Sequence, residues 1–358
     1  MIKKTEKIIG NGKVKAAISL FKPAAGVAEA HVILNLANVS KLSTEEQFSI
    51  LEKAINEFTQ TDELSGMNKR FVRYFVSDSS NQQNLVNNYN ADCSIIQQPP
   101  LNGSKAVVWV YYSEKTKEHY NQTFITQLTG SGKDVYDQTK DIFEKLDLQH
   151  CLRTWVYVND IDNRYAGMVK ARREVFEQNG LTPQTHFIAS TGIEGRSVDP
   201  HNFVTVDAYS VADIKPEQIV FLHGKSHLNP THEYGVTFER GVKIIYGDRS
   251  HIIISGTASI NNKGEIMFPG DVDKQTVRMT ENIETLLFEA GSSFADVCHL
   301  IVYLRDLSDY AKTKAYFDRR FPDIPTAILL APVCRPGWLI EAECMAITNS
   351  GDRQFREL

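Results

Sequence analysis

One order of elements recurs three times along the 358 residues, and it constrains the fold more than any single residue does. The order is an amphipathic helix, a strand ending in an acid, a second short helix and a β-hairpin. The clearest copy is the last: Asp271-Val272-Asp273-Lys274-Gln275-Thr276, then Val302-Tyr303-Leu304-Arg305-Asp306, Tyr310-Ala311, Pro325 and Ile340-Glu341-Ala342. The middle copy reads Asp134-Val135-Tyr136-Asp137-Gln138-Thr139, Val156-Tyr157-Val158-Asn159-Asp160, Tyr165-Ala166, Pro183 and Val206-Asp207-Ala208. The first is worn, with Glu45-Glu46-Gln47, Tyr74-Phe75-Val76-Ser77-Asp78 and Ala106-Val107-Val108-Trp109-Val110. Three related modules in one chain predict a molecule built like a trimer, with seams where a ligand can sit. The expected limits are 1–118 for a degenerate module, 119–228 for a second, and 229–358 for a C-terminal module carrying the chemistry.

Within the last module the local signals are specific. Val242–Tyr246 and Ile252–Ser255 read as paired strands around the turn Gly247-Asp248-Arg249-Ser250. From Asp271 the apolar period becomes helical: Met279, Ile283, Leu286, Leu287 and Ala290 share a face, and Gly291 ends the run. His299 to Leu304 is a buried strand, a short helix from about Ser308 stops at Pro322, and Ala327–Leu330 and Leu339–Ile347 close the unit. In the first module Ser43-Thr44-Glu45-Glu46 is a capping box before the stripe Phe48, Leu51, Ile55 and Phe58. Each helix pair backs one face of its own mixed sheet, so the fold class is α+β, repeated as a pseudo-trimer.

Composition narrows the partners. The charge balance of 39 basic against 44 acidic residues gives −5, a poor surface for nucleic acid but compatible with a local basic pocket for a small anionic substrate. No signal-peptide or membrane-spanning stretch is visible, and the five cysteines, odd in number and without CxxC spacing, point to reduced thiols in the cytoplasm. Gly192-Ile193-Glu194-Gly195 is no phosphate loop, and the ten histidines show no HExxH spacing. The expectation is chemistry without metal or cofactor.

The stretch Gly270–Ala346 resembles the RidA/YjgF family, with its Asp-Val…Gln helix, Val-Tyr-Leu-Arg-Asp strand and terminal Ile-Glu-Ala strand. Three such modules in one chain resemble the chorismatases, which are similar to a fused RidA-like trimer. The supporting phrases are His150-Cys151-Leu152-Arg153-Thr154-Trp155, Arg164-Tyr165, Glu233-Tyr234-Gly235, Ser255-Gly256-Thr257-Ala258-Ser259, Pro269-Gly270-Asp271-Val272 and Cys334-Arg335-Pro336 followed by Glu341. The resemblance implies a seam ligand site and cofactor-independent cleavage of chorismate to pyruvate and a hydroxybenzoate, the 3-hydroxy isomer favoured. It also implies a monomer, since the seams are internal. One departure counts against imine deaminase activity: the arginine that family members carry after the late proline is missing, and Pro325-Thr326-Ala327 stands there. A RidA-like imine or enamine hydrolase and a non-catalytic binding protein remain the alternatives.

Glu341 is the expected acid. It lies between Ile340 and Ala342 on an apolar strand, its counterpart read as Asp207 in the second module and a hydrophobic residue near Trp109 in the first. A carboxyl in apolar surroundings holds its proton to higher pH; a solvent-facing edge glutamate is the plain alternative. The resemblance assigns Glu341 to protonating the methylene carbon of the enol ether. It makes Cys334, across the same hairpin, a product-directing group beside a glycine such as Gly247; a packed thiol is the other reading. Arg153, on a buried strand, needs an acceptor and suits a substrate carboxylate. Arg305, Arg240 and Arg335 are weaker candidates that surface charge or structural ion pairs would also explain. Tyr234 is expected to orient a ring hydroxyl or merely to pack, and Ser255-Gly256-Thr257 to offer backbone N–H groups or a plain turn.

Overall fold

The computed structural model describes residues 2–24, 26–86, 92–114 and 120–358, and its strands form three sheets. The first module contributes β1 (Lys3–Ile9), β2 (Val14–Phe21), β3 (Glu29–Leu36), α1 (Thr44–Thr59), β4 (Met67–Val76), the single turn α2 (Ser79–Gln82), β5 (Cys93–Gln97) and β6 (Ala106–Glu114). The second has β7 (Gln122–Thr129), α3 (Val135–Lys145), β8 (Cys151–Val158), α4 (Ile161–Gln178), β9 (Ala189–Glu194) and β10 (Val204–Val211). The third has β11 (Ile219–Leu222), β12 (Gly241–Ile245), β13 (Ser250–Ala258), α5 (Val272–Glu289), β14 (Val297–Leu304), α6 (Tyr310–Arg320), β15 (Thr326–Leu330) and β16 (Ile340–Thr348).

The predicted helices start where their capping residues stand. Ser43 and Glu46 form the reciprocal capping box of α1, and the Asp134 and Asp271 side chains cap α3 and α5. The apolar stripes Phe48-Leu51-Ile55-Phe58 and Met279-Ile283-Leu286-Leu287 are buried.

Sheet order corrects three expectations. The first module is not degenerate in fold: its order β1-β2-β3-β6-β4-β5 matches β11-β12-β13-β16-β14-β15 strand for strand, and only its second helix has shrunk. The second module is the shortened one, with four strands in the order β7-β10-β8-β9. The late hairpin does not exist. β15 pairs in parallel with β14, and β16 pairs antiparallel with β14 and β13, so β15 and β16 are not neighbours. A parallel pair needs a crossover, and α6 supplies it as α4 does between β8 and β9. β11 pairs with β12, so the third sheet begins before residue 229, and the limit placed at 118 lies outside the described residues.

Alternation along the strands sends one set of side chains under the helices and the other toward a shared pseudo-threefold axis. Val32, Leu34, Val108 and Val110 pack with the α1 stripe, whereas Ile33, Phe71, Phe75 and Trp109 join Trp155, Tyr157, Ile301 and Tyr303 in a core common to all three modules. The seams repeat in cyclic order: single β-bridges join Gln97 to Arg196, Ile193 to Val333 and Leu329 to Pro100. Each seam also carries a buried ion pair between modules or a stack of rings. Arg73 Nη2 meets Asp207 Oδ2 at 2.8 Å, Arg153 Nη2 meets Glu343 Oε2 at 2.7 Å, and Arg249 Nη1 meets Glu29 Oε1 at 2.5 Å. At the third seam His299 also lies 4.3 Å, centroid to centroid, from Trp109.

Candidate active site

Register decides which residues of the three modules are equivalent. Glu341 lies opposite Tyr303 and Glu343 opposite Ile301, while Thr205 lies opposite Tyr157 and Asp207 opposite Trp155. Since the Val156-Tyr157 and Val302-Tyr303 motifs correspond, Asp207 is the counterpart of Glu343, not of Glu341 as the sequence reading had it. The counterparts of Glu341 are Thr205 and Val107, and that of Glu343 in the first module is Trp109. Only the seam between the second and third modules therefore has an acid at this position.

Glu341 is 5% exposed. It accepts no hydrogen bond among the described residues, and its neighbours are the Cys334 thiol, Tyr234, Tyr303 on the paired strand, and the Arg153 and Arg240 guanidinium groups. Burial raises its proton affinity first and the adjacent Glu343 charge adds to this, against Arg153 and Arg240, so its pKa is pushed up to about 8. Tyr234 lies between two arginines, with Arg240 Cζ at 5.3 Å and Arg335 Cζ at 5.0 Å from its ring centroid. Arg335 Nη2 also donates to the Tyr234 carbonyl at 2.8 Å. Burial pushes the Cys334 thiol up to about 12, and the Glu341 charge acts in the same direction. Cys334 also faces Tyr165 of α4, for which the sequence alone suggests no role.

The second module supplies the other wall. Arg172 of α4, 2% exposed, reaches across to Thr237 Oγ1 with Nε and binds Ser190 Oγ with Nη1, both at 3.3 Å. Thr191 of β9 is the knot of the seam. Its hydroxyl donates to Glu343 Oε2 at 2.5 Å and accepts from Gly256 N at 2.8 Å and from Arg153 Nη2 at 2.5 Å. Sequence reasoning missed Thr191, Arg172 and Glu343. For Glu343 a signal existed: in Glu341-Ala342-Glu343 the strand period of two puts both carboxyls on one face.

The other expected residues divide. Arg153 is buried as foreseen, but the carboxylate that answers it is Glu343's own, so its Nη2 is not free for substrate. Arg305 is a clamp: Nη1 and Nη2 each reach Asp162 of α4 at 2.9 Å, Nε donates to the Trp338 carbonyl, and Nη2 to that of Val333. It thereby fixes the 331–339 loop that carries Cys334. Thr257 is opposite Ala342, on the face turned away from Glu341, and its hydroxyl donates to the Ser255 carbonyl at 2.9 Å. Gly247 is remote. It sits at the β12–β13 turn against the backbone of Phe355 and Arg356, while Glu341 is opposite Ala258 at the other end of β13, about 25 Å away at ~3.3 Å per residue. The glycine that stands against the acid is Gly256. A Cβ there would lie 2.1 Å from Glu341 Oε1 and 2.9 Å from Thr191 Cγ2. The backbone N–H of Gly256, expected to face a ligand, is instead spent on Thr191.

Known proteins share this architecture. Residues 237–348 match the family model described as Endoribonuclease L-PSP. A RutC family protein of Pyrococcus abyssi is 36% identical over 97 residues, 26% of this chain and 76% of that protein. The chain belongs to the RutC (RidA/YjgF, endoribonuclease L-PSP) family. Another RutC family member, the 3-aminoacrylate deaminase RutC of Acinetobacter baylyi, is 29% identical over 97 residues, 26% of this chain and 77% of its own length. The crystal structure of a chorismatase superposes with a TM-score of 0.63 at 18% identity, covering 80% of this chain and 96% of that one. That likeness establishes the repeated RutC-type fold over most of the chain. Among the described residues no group of three or more His, Cys, Asp and Glu side chains is placed to hold a metal ion, and no helix is long and apolar enough to cross a membrane.

Proposed function

We propose that the seam between the second and third modules cleaves chorismate to pyruvate and a hydroxybenzoate, 3-hydroxybenzoate being the favoured isomer, with Glu341 as the general acid. The observation that carries this reading is a buried carboxyl that accepts no hydrogen bond among the described residues and lies near the Arg153 and Arg240 guanidinium groups; its burial pushes its pKa up to about 8. The Glu341 O–H gives its proton to the methylene carbon of the enol ether, whose π pair forms the new C–H bond. The resulting oxocarbenium ion is trapped by an oxygen nucleophile, water or a neighbouring hydroxyl. After trapping by water, the bond between the former enol carbon and the ring C3 oxygen breaks and pyruvate leaves. The ring diol then loses its 4-hydroxyl and the C3 hydrogen as water to become 3-hydroxybenzoate. After trapping by the ring 4-hydroxyl, the C4–O bond breaks as well, and that oxygen leaves as the pyruvate carbonyl. Pyruvate and a hydroxybenzoate together contain every atom of chorismate, so the reaction needs no redox partner. With Arg153 held by Glu343, anchoring the two substrate carboxylates falls to Arg240 and Arg335, flanking Tyr234, and to Arg172. Each seam is closed within one chain, which supports action as a monomer.

Incubation of the purified chain with chorismate, with pyruvate followed through lactate dehydrogenase, tests the reading. One pyruvate per chorismate consumed is the expected result. Ammonia from an aminoacrylate-type imine without pyruvate from chorismate would move the chain to deaminase chemistry, and release of neither would leave a binding protein. A product-directing role for Cys334 is supported by its position beside Glu341 with its thiol protonated. Cys334→Ala is expected to change the ratio of hydroxybenzoate to other ring products on chromatography, and an unchanged ratio would reduce Cys334 to packing.

A further inference from the structure

Two carboxyls two residues apart on β16 share one face but have opposite surroundings. Glu343, 3% exposed, is saturated: Arg153 Nη2 donates to Oε2 at 2.7 Å, Thr191 Oγ1 to Oε2 at 2.5 Å, and Trp155 Nε1 to Oε1 at 2.7 Å. Three donors, one a cation, fix an ionised carboxylate. Glu341 accepts none of this and lies about 7 Å along the strand at ~3.3 Å per residue. Pairs of carboxyls driven apart in this way divide into a fixed charge and a proton carrier.

We propose that Glu343 is a positioning residue whose fixed negative charge, locked by Arg153, Trp155 and Thr191, keeps the proton on Glu341. The groups facing the pair come from every surrounding element. β4 contributes Arg73, β8 Arg153, Trp155 and Tyr157, β9 Thr191, β13 Gly256 and β14 Tyr303; the segment before β12 contributes Tyr234 and Arg240, and the 331–339 loop Cys334. Burial is the larger influence on Glu341 and the Glu343 charge the second, with Arg153 and Arg240 opposing. Thr191 joins the two glutamates mechanically as well. It binds Glu343 and, through Gly256 N, holds the backbone on which the Glu341 carboxyl rests. The role of Glu341 as acid belongs to the function proposed above; the charge relation between the two glutamates stands without it.

The test is a pH titration of the Glu341 carboxyl by infrared or carbon-13 spectroscopy, its band identified by loss in Glu341→Gln. Glu343→Gln keeps the hydrogen-bonding shape and removes the charge, and is expected to lower the Glu341 midpoint by about one pH unit or more. Arg153→Met removes the opposing cation while Thr191 and Trp155 still donate to Glu343, and is expected to move the midpoint upward. Opposite shifts are the signature of charge, because a merely structural disturbance would open the site and lower both midpoints. Shifts of the same sign, or none in Glu343→Gln, would overturn the proposal. Should Glu343→Gln not fold, Thr191→Val removes one of the three donors to Glu343 without changing any charge, Arg153 and Trp155 still holding the carboxylate. Its Glu341 midpoint is then expected to stay high, and a fall toward the ordinary carboxyl range would equally overturn the proposal. If the titrations behave as described but chorismate is untouched, the function fails and the charge relation survives.

Discussion

Glu341→Gln is expected to reduce pyruvate release from chorismate by about a thousandfold, within the range that a positioned general acid contributes, while making the protein more stable. Glutamine matches the carboxyl in shape but has no proton acidic enough to give to carbon. The stability gain follows from linkage. The ordinary carboxyl value of 4.5 applies in the unfolded chain and about 8 in the fold, so between them the folded state binds the extra proton. Stability tied to this group is present at low pH and is lost as pH rises toward 8. At about 1.4 kcal/mol per unit, burial of Glu341 costs some 3–5 kcal/mol at pH 8. Glu341→Gln removes that loss, so its melting temperature should exceed the parent's at pH 8 and the difference should shrink toward pH 5. Activity of the parent should be level below about pH 8 and fall tenfold per unit above it. A glutamine variant that still releases pyruvate, or that melts no higher at pH 8, would remove Glu341 from the acid role. The expected pattern is a site held at the expense of stability.

What could be read in the sequence divides by the range of the interaction. Helix starts at Ser43, Asp134 and Asp271 are local, because the cap and the amide it serves lie within three residues, and these were legible. So was the burial of Glu341 and Arg153, which their own strand neighbours announce. The partner of Arg153 was not. Glu343 is 190 residues away, and nothing in either segment names the other. The hairpin error has a topological cause: two apolar strands around a loop look alike whether they pair with each other or with β14 between them. Gly247 failed for a related reason. Its turn was legible as a turn, but which end of β13 faces the acid depends on the register with β16, a long-range fact. The first module looked worn because its motif residues had changed, yet hydrophobic alternation alone was enough to keep all six of its strands.

Arg73→Met is expected to destabilise the fold by about 3–5 kcal/mol, and the double variant Arg73→Met/Asp207→Asn to recover most of the loss. Neither side chain of the pair is more than 1% exposed. Arg73 donates from Nε at 3.1 Å and Nη2 at 2.8 Å to Asp207 Oδ2, while Asp207 Oδ1 accepts from Gln127 N at 2.8 Å. Removing the guanidinium alone strands a carboxylate among Phe71, Trp109, Trp155 and Tyr157, the rings that surround Arg73 Cζ at 4.3–5.6 Å. Methionine fills much of the lost volume, so the penalty is mainly that of an unpaired buried charge. Asparagine then removes the charge while Oδ1 still accepts the Gln127 N–H, which is why it, not leucine, is the second change. Urea titration of the two variants against the parent checks both steps. The comparison also bears on why the axis carries charge where an apolar core would be more stable. The seams join three non-identical modules, and Arg73–Asp207, Arg153–Glu343 and Arg249–Glu29 mark one seam each. A module docked on the wrong neighbour leaves at least one of these charges buried without its partner. Full recovery in the double variant, with a single cooperative transition, would assign the pair to selecting the right neighbour. Failure to recover would mean that it also contributes net stability at this seam.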